Sequence, residues 1–495
     1  MSKTSVAVTI IIIGNAVPSE LRWGQTRTPR HLHGTMLLLA FCCTASLQSD
    51  IVVTPEMFGA VGDGKANDWL PIKQALIACV TAVYHTTRSR SCRVLFSKMY
   101  LSGPLVLNSS RTTLEVATGA TLAMLPRADY EKTCPETGCP FISTGSGAEG
   151  CRTVHPNPHA PQNGYQVCLH DITITGGGTI DGRGTWQASS WWLCARLQLP
   201  CWRPILSYFE HVAGLTVNGS LTWKDAPTGF MRLYGNVGTR ISGVTLSAPY
   251  LTRNTDGINV YGGYDTLLEN AVVDNGDDCV SIVPTGEWID DGNFCFSDPG
   301  NVLCSGGHAI VRNFTCNGGH GLSIGGIRHG TVMNVTFSNI TATGGQPGST
   351  QDEAAGGGCR VKSRPNSTGS VHAIRYEDMV FRDVYWPLQL LGHYCPFPCK
   401  QKDGNRSTLF HNITFERVSG SSSRRSLLPF AKTTVAQFKC TTYTPCANIT
   451  MRRVTLTDKT GHVGLLDCEN VASVTIDNTS SPGACAHGPH ETREQ

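Results

Sequence analysis

Val311-Arg312-Asn313-Phe314-Thr315 and Val332-Met333-Asn334-Val335-Thr336 repeat one pattern 21 residues apart. The Asn-apolar-Thr-apolar template stands at Asn334-Val335-Thr336-Phe337 and returns at Asn412-Ile413-Thr414-Phe415 and Asn448-Ile449-Thr450-Met451. Ile172-Thr173-Ile174, Gly243-Val244-Thr245-Leu246 and Asn270-Ala271-Val272-Val273 are further short apolar runs broken by Gly, Asn and Asp. Repeats of about 20 residues built from short strands and turns read as a solenoid. No clear helix candidates separate the strands, which disfavours a doubly wound α/β sheet. The fold predicted is all-β, a parallel β-helix in which alternate side chains fill the interior. A β-sandwich would need hairpin signals every 8–12 residues or so, and these are sparse. One helix is predicted, Trp69 to Tyr84, with Leu70, Ile72, Leu76 and Cys79 as its apolar positions. It would cap the end of the core that the first coil leaves open.

The bulk properties agree. Of 495 residues, 40% are apolar, only 16% are charged and 53 are Gly, a balance that favours strands over helical bundles. A net charge of +3 demands no nucleic-acid partner. The basic runs are pairs such as Arg424-Arg425 and Arg452-Arg453, which read as solvated surface.

Compartment is written in the Cys and Asn residues. The chain has 21 Cys and ten Asn-x-Ser/Thr sequons, at Asn108, Asn218, Asn313, Asn334, Asn339, Asn366, Asn405, Asn412, Asn448 and Asn478. Together they predict a secreted, disulfide-bonded glycoprotein. Met36 to Cys43 is a short apolar run after Arg27, Arg30, His31 and His33, and it leads into Cys43-Thr44-Ala45-Ser46. Residues 1–47 therefore read as a region carrying a secretory signal, and 48–490 as the β-helix domain. Neither this run nor Val6 to Ile13 reaches the ~18 residues of a membrane span, so no membrane association is expected after signal removal. Nine bridges are expected: Cys79–Cys92, Cys134–Cys139, Cys151–Cys168, Cys194–Cys201, Cys279–Cys316, Cys295–Cys304, Cys395–Cys399, Cys440–Cys446 and Cys468–Cys485, with Cys359 left over. Cys134, Cys139, His155 and His159 loosely match a zinc spacing, but Pro156 and Pro158 forbid the helix a zinc finger needs.

Asp256 and Asp277 are also 21 apart, so the period predicts that they sit side by side, with Asp278 turned to join them. Three crowded carboxylates raise at least one pKa, which marks a functional-site candidate.

Four segments stand in sequence: Asn254-Thr255-Asp256-Gly257, Gly276-Asp277-Asp278-Cys279, Gly319-His320-Gly321-Leu322-Ser323-Ile324-Gly325 and Arg360-Val361-Lys362. Together, and in this order, they resemble the polygalacturonases of glycoside hydrolase family 28. Tyr394, in His393-Tyr394-Cys395, matches a substrate-binding tyrosine. Phe58-Gly59-Ala60-Val61-Gly62-Asp63-Gly64 and Gly176-Gly177-Gly178-Thr179-Ile180-Asp181-Gly182 look like early coils of these enzymes. The resemblance implies a single-stranded right-handed β-helix, and a monomer without cofactor or metal that hydrolyses α-1,4-galacturonosidic bonds of pectin with inversion. It implies Asp277 as general acid, Asp256 and Asp278 as holders and activators of water, and His320 as an auxiliary group. Asn254, Arg360, Lys362 and Tyr394 are then substrate-binding. Hydrolysis needs one protonated carboxyl and one ionised carboxylate, so crowding that keeps Asp277 protonated fits the assignment.

Arg360 and Lys362, two apart on a strand, point to one face and suit a carboxylate-bearing sugar. On this reading Lys362→Ala weakens substrate binding more than folding. The chain departs from the family by an insertion between Ile282 and Cys316, holding Asp290, Asp291, Cys295 and Cys304, which sets His320 43 positions after Asp277, near two coils. Gly326 and Ser363 also replace common family residues. The alternatives are a rhamnogalacturonan or xylogalacturonan hydrolase, a Ca²⁺-dependent lyase, or a pectin-binding solenoid without catalysis.

Overall fold

The computed structural model describes residues 51–85, 91–134, 138–147, 150–155, 164–187, 190–197, 202–285, 304–344, 356–395, 405–425, 433–477 and 485. Asn478, most of the insertion with Asp290, Asp291 and Cys295, and the 1–47 region lie outside the described residues. Thirty strands join one sheet wound into a right-handed parallel β-helix. Among the described residues no helix is long and apolar enough to cross a membrane.

The corners explain the Asn template. Each of six successive coils has two residues in the left-handed region, five positions apart: 265/270, 308/313, 334/339, 373/378, 412/417 and 448/453. Asn and Asp tolerate this conformation better than other residues with a Cβ, because their short polar side chains bond locally. After a corner the strand enters the core, so Val335 and Phe337, Ile413 and Phe415, and Ile449 and Met451 are all buried. The Thr between them faces outward. Across the coils Phe337 stacks on Tyr376 at 4.8 Å, and Tyr376 stacks on Phe415 at 5.3 Å. Burying such rings contributes about 1.5–3 kcal/mol each.

The strict 21-residue period is corrected. Coil offsets vary: 22 where Ile258 pairs with Val280, 26 where Ile310 pairs with Thr336, 39 where Val335 pairs with Ile374. Asn313 is the second corner of its coil and Asn334 the first corner of the next. Their separation of 21 is thus one 26-residue coil less the five residues between corners, and the two quoted phrases are not in register. Likewise the 43 positions before His320 are one enlarged coil rather than two, since Asp278 pairs with Gly321.

The helix forms at Trp69–His85. Ile72, Leu76 and Cys79 are buried as expected, and the Cys79–Cys92 bridge ties the helix to the first coils. Leu70 is the exception, at 62% exposed on the outer face. Five further expected bridges are present: Cys134–Cys139, Cys151–Cys168, Cys279–Cys316, Cys440–Cys446 and Cys468–Cys485. Cys194, Cys304 and Cys395 are also disulfide-bonded, and their expected partners lie outside the described residues. Cys359 is free and buried.

One column of strands carries the chemistry: Ser207–Glu210, Met231–Tyr234, Ile258–Tyr261, Asp278–Val283, Gly321–Thr343, Gly357–Val384 and Trp386–Leu391. Consecutive members pair in parallel. Phe209, Leu233, Val260, Ile282, Ile324 and Val361 point inward and are fully buried. Tyr208, Arg232, Asn259, Ser281, Ser323 and Arg360 occupy the outward row. Several of these outward side chains are nonetheless buried, Asn259, Ser281, Ser323 and Arg360 among them, so the row is the floor of a groove.

Candidate active site

The three aspartates meet at the N-terminal edge of this column. Extending the Ile258–Val280 ladder back two residues puts Asp256 opposite Asp278, not Asp277 as the 21-residue spacing predicts. Asp277 sits at the bend before its strand, opposite His320, whose backbone N–H donates to the Asp277 carbonyl at 2.8 Å. That close approach explains the glycine beside His320: a Cβ on Gly319, at φ +57°, would lie 2.1 Å from the Asp277 carbonyl oxygen.

Every carboxylate has specific partners. Asp277 Oδ1 accepts from His320 Nδ1 at 2.8 Å and from the Asp278 backbone N–H at 2.8 Å. Asn254 Nδ2 lies 3.4 Å from Asp277 Oδ2. Asp278 Oδ1 accepts from Ser323 Oγ at 2.5 Å, and Oδ2 accepts from Lys362 Nζ at 2.7 Å. Asp256 Oδ2 accepts from Asn259 Nδ2 at 3.0 Å. The turns are locked together as well, since the buried Asn275 amide donates to the carbonyls of Thr255 and Asp278, each at 2.9 Å.

The charges divide unevenly. Burial, then the Asp277 and Asp278 charges, raise Asp256 to about 7. Burial would also raise Asp277, but the charge and hydrogen bond of His320, with Lys362, outweigh it and hold Asp277 well below the usual carboxylate range. Burial lowers His320, and Asp277 overcomes that to raise it. Crowding therefore does raise one carboxyl, but it is Asp256, whereas the expectation is a raised Asp277. The physical reason is the His320 imidazolium, which hydrogen-bonds Asp277 at 2.8 Å and lies 3.9 Å from Asp278.

Arg360 and Lys362 share a face, as expected. Lys362, however, is committed inward: its side chain is 4% exposed and pairs with Asp278. The Tyr394 ring lies 5.1 Å from Lys362 Nζ and 5.8 Å from the Arg360 guanidinium. Arg360 Nε is buried without an acceptor. It is thus the better placed of the two cations to meet a carboxylate from outside. Asn254 is exposed and held by Arg203 Nη2 at 2.9 Å.

Arg203, Asn259 and Ser323 are site residues that sequence reasoning missed. Ser323 lies within the quoted His320 motif, and its outward parity after Gly321 was a usable signal. Asn259 follows Asp256 by three on the same strand entry. Arg203 is 51 positions from Asn254 and carries no local signal.

Donor atoms of Asp277, Asp278 and His320 lie within 4.8 Å of one another. The Lys362 ammonium and the Ser323 hydroxyl already occupy both Asp278 oxygens, and hard cations require about six oxygens, so the set fits an ion-paired acid cluster better than a metal.

The family model for Glycosyl hydrolases family 28 matches residues 166–481. "Polygalacturonase-2" of Solanum lycopersicum is 26% identical over 311 residues, 61% of this chain and 59% of that protein. The match thus spans less than two thirds of that relative's length. "Polygalacturonase" of Gossypium barbadense is 24% identical over 453 residues, 89% of this chain and 92% of that protein. The polygalacturonase structure from Erwinia carotovora superposes with a TM-score of 0.62 at 21% identity, covering 86% of this chain and 96% of that one.

Proposed function

The chain belongs to glycosyl hydrolases family 28, and from that premise we propose that it is a polygalacturonase, hydrolysing α-1,4-galacturonosidic bonds of pectin with inversion. The observation that carries the reading is the junction of three carboxylates with an imidazole and a cation pair at the edge of one groove. The names of the relatives point the same way.

The residues divide the chemistry as follows. His320 and Asp277 share one proton across their 2.8 Å hydrogen bond. Its transfer turns the ion pair into a neutral imidazole and a carboxylic acid, and Asp277 then protonates the leaving glycosidic oxygen. Asp278, paired with Lys362 at 2.7 Å, takes a proton from water, and Asp256 positions that water. Arg360 and Tyr394 bind the sugar carboxylate and ring, and Asn254 borders the same cleft. A short separation between carboxylates suggests retention under the usual distance rule. Inversion is proposed on the family membership instead, with the attacking water held among the acids.

Chromatography of early products from polygalacturonate tests the reading. Reducing ends that persist in EDTA are the expected result. Ultraviolet-absorbing unsaturated products that need Ca²⁺ would mean a lyase, and binding without products would mean a solenoid that only holds pectin. Cleavage confined to rhamnose- or xylose-bearing pectin would move the specificity to the related hydrolases.

Residues 48–490 are proposed as the secreted, monomeric catalytic domain after loss of 1–47. All nine described sequon asparagines are exposed, and the bridges suit an oxidising compartment. Secretory expression followed by glycosidase treatment should lower the apparent mass. An unchanged mass would count against this routing.

A further inference from the structure

The groove floor continues past the acids on the side away from Arg360. Its outward row runs Tyr208, Arg232, Asn259, Ser281, Ser323, Arg360. Asn259 holds Asp256 and Ser323 holds Asp278. Arg232 is therefore one strand before the acid-holding residues, and Arg360 one strand after them. The two arginines are four strand spacings apart, ~19 Å at ~4.8 Å each. That separation suits sites for different sugars of one chain lying across the coils.

Arg232 has the features that mark Arg360. Its Nε is buried without a hydrogen-bond acceptor. Among the described residues it forms no ion pair. Its guanidinium lies 5.3 Å over the Tyr261 ring. Tyr261 continues into a tilted aromatic row, with Tyr234 at 6.3 Å and Tyr208 at 6.4 Å from Tyr234. Burial, then Glu210, hold Tyr208 protonated, so that nearby carboxylate acts on Tyr208. Leaving the buried Nε–H of Arg232 unmet costs free energy, and stacking fixes the fork in the orientation a carboxylate needs. Tyrosine rings offer a flat apolar surface with a polar rim, which suits a sugar ring.

We propose that Arg232, backed by Tyr208, Tyr234 and Tyr261, is a second carboxylate-binding subsite, holding a uronate residue of the bound chain at the end of the groove opposite Arg360. It rests on the polygalacturonase reading for the identity of that chain. The two cationic subsites then fix the polymer on both sides of the acids, so Arg232 helps set which bond lies over them.

The test reads affinity and cleavage position separately. Calorimetry with hexagalacturonate would compare Asp277→Asn with Asp277→Asn/Arg232→Gln, so binding is measured without turnover. The expected result is a Kd weakened about tenfold, the usual scale for one charge-assisted bond. Arg232→Lys should recover only part of this, because an ammonium lacks the fork. With Asp277 intact, Arg232→Gln should shift the cut positions of end-labelled hexamer. A Kd within twofold, full recovery by Arg232→Lys, or an unchanged cleavage pattern overturns the proposal. A hexamer that does not bind the Asp277→Asn protein overturns it too. A wild-type protein that binds hexamer but releases no reducing ends defeats the polygalacturonase reading and leaves the Arg232 affinity ratio to decide this one. Melting temperature within a few degrees of wild type guards against misfolding in each variant.

Discussion

Asp277→Asn is expected to cut kcat on polygalacturonate by about 10³-fold, the scale of a lost general acid, while the melting temperature moves little. An amide cannot deliver a proton to the leaving oxygen. It also removes the anion that holds the proton on His320, so both halves of the shared-proton pair fail together. Stability is spared because two effects oppose. The His320 ion pair is lost, but the repulsion that Asp277 exerts on half-buried Asp256 is relieved. Reducing-sugar release and a thermal melt measure the two sides. Near wild-type turnover would sink the assignment of Asp277.

The same cluster sets the pH response. Asp256 is raised from 3.8 to about 7, so it stays protonated well above an ordinary carboxyl and loses its proton as pH climbs through about 7. Deprotonation adds a negative charge beside Asp277 and Asp278 and repels a polyanionic substrate. Activity should therefore fall as pH rises through that value. An activity still rising from pH 7 to pH 9 would contradict this electrostatic account.

Lys362→Ala is expected to destabilise the protein by about 3–5 kcal/mol, the usual cost of stranding one partner of a buried ion pair. A melting temperature lower by roughly 5 °C or more follows for a domain of this size. Asp278, 6% exposed, would be left with the Ser323 hydroxyl and the His320 ring 3.9 Å away. Adding Asp278→Asn should return much of the lost stability, because the orphaned charge is then gone. This reverses the expectation that Lys362 serves binding more than folding. A Lys362→Ala protein with a raised KM and an unmoved melting temperature would restore the earlier view.

The fold was readable because β-helix coils leave local traces. Asn at a left-handed corner and the apolar-Thr-apolar strand after it are nearest-neighbour effects, so Asn412 and Asn448 announce their coils in isolation. Register was not readable to the residue. Coil length depends on how many residues each turn spends outside the strands, and the coil length runs from 22 to 43 along the groove. The 21-residue separations of Asp256 from Asp277 and of Val311 from Val332 were therefore right about neighbourhood and wrong about pairing.

Residue identities and their order determined, from sequence alone, the solenoid, its capping helix, the disulfide-rich chemistry and the set of acids, imidazole and cations. Those properties reside in single residues and short runs. Tertiary structure decided how the set divides its charge. Only the coil-to-coil register brings Lys362 to Asp278, His320 to Asp277, and Arg203 to Asn254 across 84, 43 and 51 residues. Proton affinity depends on distance, burial and partner charge, and sequence separation encodes none of the three. For that reason the raised carboxyl is Asp256, and Arg232 emerged as a companion to Arg360 only once the strands were laid side by side.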